Sequence, residues 1–303
     1  MKKRSFFLFG LLAVGLSSSV ALALDPMGPA VASLKKGQYS AGVDYSHSTM
    51  DVELNEGKGS WRQYQNSILI GSASGKLPSY TIENMSLNKV YANIGYGIAN
   101  NWEAFLRLGA ADIDYKYRDD LWLSGQKLFP TGKKENGDAG FAIGFGTRAT
   151  FYDQNDLQLG GLFQISWAKS DGRQSGAYPP DAGGVYPKWE APHEWSNSVD
   201  IEIIEIQVAL GPTYQLMDGV SIYGGPFFHF IDGSVDAKYR ESGTGLGNTF
   251  LYLTKHSYDI DECAIFGGYV GLQVNAIKNA SFNIEYQHTA AADALCMNLT
   301  HRF

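Results

Sequence analysis

The sequence predicts an all-β protein, a single closed antiparallel barrel of about ten strands that cross a membrane. Three observations support this fold class. Apolar residues alternate with polar or very small ones over about ten stretches of the 303-residue chain. Tight turns and long polar segments alternate between these stretches. The chain also begins with an export signal. Eight and twelve strands are the alternative counts.

The first residues have the pattern of a secretory signal peptide. Positive charge at residues 2–4 precedes an apolar run over residues 6–16, and Ala21-Leu22-Ala23 is an A-x-A cleavage site. The apolar run is short for a spanning helix, which needs about 20 residues. The predicted domains are therefore a signal peptide over residues 1–23, a periplasmic N-terminal segment over residues 24–37 and a barrel over residues 38–303.

Ten stretches have the period-two pattern of strands, at about residues 38–46, 88–98, 102–112, 140–152, 157–168, 199–214, 220–231, 263–275, 281–288 and 295–303. On the first five, the alternating apolar residues include Val43 and Tyr45, Ile94 and Tyr96, Leu106 and Leu108, Ile143 and Phe145, and Phe163 and Ile165. On the last five they include Ile206 and Val208, Phe228 and Phe230, Val270 and Leu272, Ile284 and Tyr286, and Leu295 and Met297. Strands of about 9–11 residues suffice to cross a membrane.

The connections between strands are of two kinds. Tight turns are expected at residues 99–101, 153–156, 215–219 and 276–280, and long polar loops at residues 47–87, 113–139, 169–198 and 232–262. With an even strand count, all tight turns lie at one end of the sheet and all long loops at the other. Short periplasmic turns and longer external loops are typical of transmembrane barrels. Twelve strands would require residues 61–71 and 246–254 to cross the membrane, and we expect these to be strand extensions above it.

The distribution of side chains predicts which face contacts lipid. Aromatic residues occur near both ends of the strands, as in the two interfacial girdles of membrane barrels, and Trp102 and Trp167 are examples. The opposite face is rich in Gly, Gln, Asn and Ser, which suit a confined wet interior. We therefore expect apolar side chains to point outward and polar ones into the lumen.

The last strand ends on an aromatic residue, and its apolar side chains occupy every second position. In this arrangement it resembles the C-terminal assembly signal of Gram-negative outer-membrane β-barrel proteins. The matching residues are Leu295, Met297, Leu299, His301 and Phe303. The resemblance implies location in the bacterial outer membrane, contact with its lipid and lipopolysaccharide, and recognition of the terminal Phe by the barrel-assembly machinery. His301 departs from the usual Tyr or apolar residue.

Charged residues of both signs are predicted to face the lumen, namely Asp44, Glu103, Arg107, Arg148, Glu205, Glu285 and Arg302. A barrel of this size encloses little more than its own side chains, so these charges must pair or remain hydrated. Two interpretations remain open: a salt-bridged interior that makes the barrel rigid, and a narrow porin-like pore with a selectivity ring for small hydrophilic solutes.

A second group of residues lies at the predicted loop rim. Asp112 and Asp114 leave the third strand, and His229 and Asp232 leave the seventh. This plan is similar to that of the omptins, outer-membrane proteases with an Asp pair opposite an Asp–His couple. The local sequences ADIDY and FHFID do not match the omptin motifs, and His229 points inward by parity.

The sequence therefore predicts a non-enzymatic porin-like or structural barrel with long external loops. The alternatives are a surface adhesion or recognition protein and, less favoured, an omptin-like protease. The net charge of −7 argues against a nucleic-acid partner. We expect no catalytic residue, no metal site and no cofactor. Two cysteines form no disulfide framework, and we expect free thiols.

Overall fold

The computed structural model describes residues 24–116, 122–123, 126–127, 134–136, 138–178, 193–245, 247–277 and 279–303. These residues form fifteen strands: β1 (Tyr39–Gln65), β2 (Ile68–Lys76), β3 (Tyr80–Ala99), β4 (Trp102–Lys116), β5 (Trp122–Leu123), β6 (Gln126–Lys127), β7 (Lys134–Asn136), β8 (Gly140–Gln154), β9 (Leu157–Tyr178), β10 (His193–Met217), β11 (Val220–Gly245), β12 (Asn248–Glu262), β13 (Phe266–Ile277), β14 (Ala280–Thr289) and β15 (Ala292–Arg302). Among them, no helix has the length and apolar character of a membrane span.

Ten strands close into an antiparallel ring, which we call the membrane ring. Its order is β1, β3, β4, β8, β9, β10, β11, β13, β14 and β15, and β15 pairs back onto β1 to close it. The closing register joins Ser40 to Arg302 and Met50 to Ala292. The predicted fold class and the preferred strand count are confirmed.

The predicted tight turns are also confirmed, at one end of the ring. Two residues separate β3 from β4, β8 from β9, β10 from β11 and β13 from β14. Asn155 and Gly219 have positive φ values, 54° and 76°, which these short connections require. Short turns fix the register of each hairpin, so the alternation of faces carries from strand to strand.

The long segments differ from the expected loops, because most of their described residues are strands. β1, β9, β10 and β11 continue well beyond the membrane ring, to lengths of 27, 22, 25 and 26 residues. β12 pairs with the outer half of β1 on one side and of β11 on the other. β2 forms a hairpin with the end of β1. We call this region, built from the outer halves of β1, β9, β10 and β11 with β2, β12 and the start of β3, the external tier.

The outer surface of the membrane ring is apolar, as the sequence predicted. Large apolar side chains are exposed on every strand of the ring, for example Ile94, Phe145, Leu210, Phe282 and Leu299. The intervening residues face inward and are buried. An open sheet edge is not tolerated in hydrocarbon. A sheet whose outer surface is apolar enough to contact lipid must therefore close into a ring, as this one does.

The N-terminal segment does not have the expected position. We expected residues 24–37 to be a periplasmic segment separate from the barrel, whereas the structure places residues 24–34 between the inner faces of the strands. Leu24, Met27 and Leu34 are at most 2% exposed. The physical reason is that polar groups of the barrel wall bind the backbone of this segment. We call residues 24–34 the N-terminal plug.

Candidate functional site

The polar interior of the membrane ring is built from side chains that point inward on neighbouring strands. Because successive residues on a strand face opposite sides, the polar residues between the apolar ones all meet at the barrel axis. Those nine-tenths or more buried include Asp44, Lys89, Glu103, Arg107, Gln164, Glu205, Gln207, Glu285 and Gln287. Together with the N-terminal plug they form what we call the polar network.

One branch of the polar network centres on Lys89, which is fully buried. Its ammonium group lies 3.0 Å from Asp25 Oδ1 and also binds Glu205. The imidazole Nε2 of His229 lies 3.4 Å from the other oxygen of Glu205. Tyr91 donates its hydroxyl to Asp25 at 3.3 Å. One buried cation thus links the plug to opposite walls of the barrel. Lys89 is not among the predicted lumen charges.

A second branch centres on Arg107. Its Nε lies 2.7 Å from Asp44 Oδ2, its Nη1 donates to Gln164 at 3.0 Å, and its Nη2 donates to the Pro26 carbonyl at 2.6 Å. All three nitrogens of this guanidinium therefore contact polar groups, and one of these groups belongs to the plug. A planar donor fork of this kind suits several acceptors at once.

A third branch joins Arg148, Glu103 and the plug backbone. Arg148 Nη1 donates to Glu103 at 2.9 Å, and Nη2 donates to the Met27 carbonyl at 2.6 Å. The other oxygen of Glu103 accepts the backbone amides of Ser33 and Leu34, at 2.7 and 2.9 Å. These contacts hold both halves of the plug.

The remaining polar groups complete this wrapping of the plug backbone. Glu285 accepts the amide of Met27 at 3.0 Å, and Gln287 donates to the Asp25 carbonyl at 2.8 Å. Cys296 Sγ lies 3.4 Å from the Leu24 carbonyl oxygen. Neither cysteine forms a disulfide, as expected, and Cys296 is buried whereas Cys263 is exposed. Thus four of the seven predicted lumen charges bind the plug directly: Glu103, Arg107, Arg148 and Glu285.

The other three predicted charges lie around these contacts. Asp44 binds Arg107 and accepts from Asn93 at 2.6 Å, and Glu205 binds Lys89. Arg302 lies at the periplasmic end, where it donates to Asn275 at 2.7 Å. A polar cavity of about 240 Å³ opens there, lined by Ser33, Glu103, Arg148 and Arg302 among others. The cavity ends at the plug.

Inside the external tier the same strands turn apolar. Buried residues from seven strands pack together, and they include Met50, Val52, Leu54, Leu87, Ile113, Ile201, Ile203, Val235, Tyr252, Ile260 and Ala292. Trp61 and Trp195 pack against them. We call this cluster the external core. It lies directly above the polar network, since Leu87, Ile203 and Ile231 are the next inward residues after Lys89, Glu205 and His229.

A few polar groups are buried in the external tier. His193 Nε2 lies 3.1 Å from Glu241, which also accepts the Tyr239 hydroxyl at 2.9 Å. Burial raises the pKa of the Glu241 carboxyl, because the charged form loses hydration. Burial also lowers the pKa of His256 to about 3, so its imidazole is neutral at physiological pH.

The residues of the omptin-like hypothesis do not assemble into an Asp–His couple. His229 is buried in the lumen beside Glu205, whereas Asp232 is exposed on the opposite face of β11. Asp112 and Asp114 both lie on β4. Asp112 is between the inward residues Ala111 and Ile113, and Asp114 directly follows Ile113. Within the described part of the chain, no group of His, Cys, Asp and Glu has the arrangement of a metal site.

The predicted assembly residues lie on the outward face of the closing strand. Leu299 and Phe303 are 57% and 70% exposed, and His301 is also exposed. Leu295 and Met297 are half-buried on the same face. Four of these residues lie on β15 and Phe303 directly follows it, so a continuous row of side chains points toward the lipid.

The chain resembles solved outer-membrane barrels in fold. The outer membrane protease OmpT from Escherichia coli is 11% identical, with 88% of this chain and 97% of that chain covered and a TM-score of 0.34. The translocator domain of the autotransporter NalP from Neisseria meningitidis is 13% identical over 89% and 90%, with a TM-score of 0.36. The toluene transporter TbuX from Ralstonia pickettii is 10% identical over 89% of each chain, with a TM-score of 0.33.

No family model matches the chain, and no curated protein sequence matches it. The closed antiparallel ring, its apolar outer belt and its polar interior are those of a bacterial outer-membrane β-barrel.

Proposed function

We propose that this protein is a closed, non-enzymatic outer-membrane barrel that acts through its external tier rather than as an open porin-like pore. The observation that carries the proposal is that the interior is filled at two successive levels. The N-terminal plug occupies the membrane ring, and the external core occupies the region above it.

The membrane ring blocks ions because the charged side chains of its polar network are paired with one another. Asp25, Asp44, Glu103 and Glu205 each contact a basic side chain of the polar network. A selectivity ring needs charges that face water and exchange one ion for another. Here the same charges hold protein groups, as in the rigid salt-bridged interior that the sequence allowed.

The upper level blocks polar solutes because it is apolar and packed. Leu54, Ile203 and Ile260 are at most 1% exposed. A hydrated ion that reached this level would have to lose its water without gaining a polar partner, which is prohibitively unfavourable. The polar cavity at the periplasmic end is therefore a vestibule that does not continue outward.

Planar-bilayer recording tests this proposal. The purified full-length mature chain, with insertion verified by its heat-modifiable shift on gels, is expected to give no steady conductance steps. Discrete ohmic steps at single-molecule level would overturn the proposal and restore the porin-like pore. Arg107→Ala serves as the second measurement, since a closed interior that loses this contact should leak, whereas a selective pore should mainly change its ion preference.

The absence of enzymatic activity is part of the proposal, and it is supported by the separation of His229 from Asp232. A panel of basic and neutral peptides incubated with the refolded barrel should remain uncleaved. Cleavage that is present in the wild type and lost in His229→Ala would favour the protease instead.

For the external tier we propose a role in recognition of anionic groups, which is supported by a basic patch on its outer face. Arg173, Lys238 and Lys255 are near neighbours across β9, β10, β11 and β12, since Ser198 pairs with both Arg173 and Lys238, and Lys238 pairs with Lys255. Arg240 lies one position further out. The four side chains line an open groove of about 440 Å³.

Lipopolysaccharide is the partner that the position of the patch favours. Arg173 lies six residues beyond Trp167 on β9, which is about 20 Å along the strand. The patch is thus above the hydrocarbon and faces sideways along the membrane surface, where the phosphate groups of lipopolysaccharide lie. Cationic side chains bind such phosphates strongly, and salt weakens the contact.

Lipopolysaccharide binding by two charge-matched variants tests this role. Lys238→Ala/Lys255→Ala should bind purified lipopolysaccharide several-fold more weakly at low salt than the wild type does. Lys35→Ala/Lys36→Ala removes the same charge at the opposite, periplasmic end and should bind as the wild type does. Equal losses in both variants would attribute the effect to net charge alone and overturn the proposal.

We further propose that the outward row on β15 is the signal read by the barrel-assembly machinery. The support is that Phe303 is 70% exposed, so its side chain adds little packing to the finished barrel. Deletion of Phe303 should reduce the amount of barrel in the outer membrane, while refolding of the purified variant in detergent is unchanged. A refolding defect of the same size would overturn this role.

A further inference from the structure

The innermost residue of the N-terminal plug is Leu24, and it is fully buried. It packs with Phe227, Tyr269 and Cys296 in the membrane ring. Its carbonyl lies near Cys296, and the next residue, Asp25, binds Lys89. The plug then runs toward the periplasmic end, where Lys35 and Lys36 are exposed.

Buried carboxylates outnumber the basic side chains in the polar network. Five carboxylates are buried in it, and they are Asp25, Asp44, Glu103, Glu205 and Glu285. The basic side chains among them are Lys89, Arg107 and Arg148. Among the described residues, the network thus has five buried carboxylates and three basic side chains, and buried charges need partners.

We infer that the amino terminus produced by cleavage after Ala23 is a built-in cation of the barrel interior. Hydrolysis of the Ala23–Leu24 peptide bond by a signal peptidase consumes one water molecule and yields a carboxylate on Ala23 and an ammonium group on Leu24. That ammonium group is formed at the buried end of the plug, next to Asp25 and within the acidic excess of the network. This inference goes beyond the closed-barrel proposal, because it concerns how the plug is completed.

The position of the external core supports this processing site. Leu87, Ile203 and Ile231 continue the inner wall just beyond the groups that hold Asp25. A chain that continued outward from Leu24 would bring unpaired backbone groups into this apolar core, which is strongly unfavourable. The plug therefore reaches its observed position after the signal peptide has been removed, and processing precedes closure of the lumen.

The first test is chemical. Intact mass and N-terminal sequencing of the protein purified from membranes should give a chain that begins at Leu24. A small amine-reactive reagent near neutral pH should then label the Leu24 amine at least tenfold more slowly in the folded barrel than in the denatured chain. Lys35 and Lys36, exposed on the same segment, are the internal controls and should react in both states. A different first residue, or equal reactivity of the Leu24 amine in both states, would overturn the inference.

The second test moves the charge without removing any native residue. Insertion of Gly-Ser before Leu24 in the refolded mature chain should make the amino terminus reactive and residues 24–34 accessible to protease. The same insertion after Gly37, which is exposed and has nothing within 4 Å of its Cβ position, should leave the amine protected. Equal protection in both variants contradicts the inference. Neither readout depends on conductance, so the closed-barrel proposal is tested separately.

Discussion

The membrane ring and the external tier share strands but have opposite polarity. In the lower half of β11, Phe228 and Phe230 face outward and His229 faces inward. In its upper half, Lys238 and Arg240 face outward and Tyr239 faces inward. The change occurs on β1, β10 and β11 at the same height, because the strands leave lipid and enter water there.

This contrast shows that the alternation of apolar and polar residues along a strand does not by itself determine which face is inside. In the membrane, lipid accepts apolar side chains on the outside, and a closed interior must satisfy its polar groups internally. Above the membrane, burial of apolar area stabilises the fold as in any soluble protein. The two tiers should therefore fail in different ways when they are perturbed.

The largest effect is expected from Lys89→Met in the polar network. The substitution keeps an unbranched side chain one atom shorter than Lys, and it leaves Asp25 and Glu205 without their shared cation. Breaking one partner of a buried ion pair costs about 3–5 kcal/mol, and urea unfolding in detergent measures this loss. Lys35→Met, which removes an exposed cation just after the N-terminal plug, should change the unfolding free energy by less than about 0.5 kcal/mol. A loss below 1 kcal/mol in Lys89→Met would show that the network is not needed for stability.

A somewhat smaller effect is expected from Leu54→Ala in the external core. Leu54 is 1% exposed, and truncation of a buried Leu costs about 2–5 kcal/mol. The fluorescence of Trp61 and Trp195, which pack against this core, should report the loss in urea. Leu69→Ala on the exposed β1–β2 hairpin is the control and should be close to neutral. An equal effect at both positions would contradict a packed external core.

Displacement of the plug by Gly160→Val should have a moderate effect. A Cβ at Gly160 would lie 2.4 Å from the Ala30 carbonyl oxygen, so the wall would no longer accept the plug backbone. Overpacking of this kind costs about 1–3 kcal/mol, and protease cleavage after Lys35 and Lys36 should become faster. At Gly161, facing lipid, the nearest atom to a Cβ is the flexible end of Leu210 at 3.1 Å, so Gly161→Val should leave the cleavage rate unchanged.

The smallest effect is a pH dependence of the external tier. The pKa of His256 is about 3 in the folded state and 6.5 ordinarily, so the unfolded chain binds more protons between these values. With respect to His256, the unfolding free energy is therefore highest above about pH 7. It falls as pH decreases, by about 1 kcal/mol between pH 6.5 and 5.5. Urea titrations at these two pH values, followed by Trp fluorescence, measure the change. In His256→Gln the decrease should be smaller, and an unchanged slope would contradict the assignment to His256.

Much of the membrane ring could be predicted from the sequence, because lipid imposes one rule on every strand. Each aligned pair, such as Ile143 and Phe145, faces outward as expected, and the four tight turns occur at the positions predicted for them. The lumen charges also follow from parity alone. What parity cannot give is the partner of each charge, which depends on the curvature of the closed sheet.

Two features were missed for separate physical reasons. Apart from the strand extensions expected at residues 61–71 and 246–254, the sequence predicts loops where the external strands lie, because Gly, Ser, Asp and Lys are common in them. The alternation nevertheless continues at Val52 and Leu54 with its polarity reversed. The plug was missed because Asp25-Pro26-Met27 has no secondary-structure pattern of its own.

The pairing of β12 with β1 has a consequence for how the barrel is sealed. β1 and β15 are about 250 residues apart in sequence, and joining such distant segments directly has a high entropic cost. Because β12 already binds β1 from Val52 to Gln65, the chain left to close the seam is only the stretch from Glu262 to Ala292. Pairing of β15 with β1 can then start beside the β1–β12 pairing outside the bilayer and continue toward the periplasmic end. Once β12 has paired with β1, closure of the barrel would therefore be a local event.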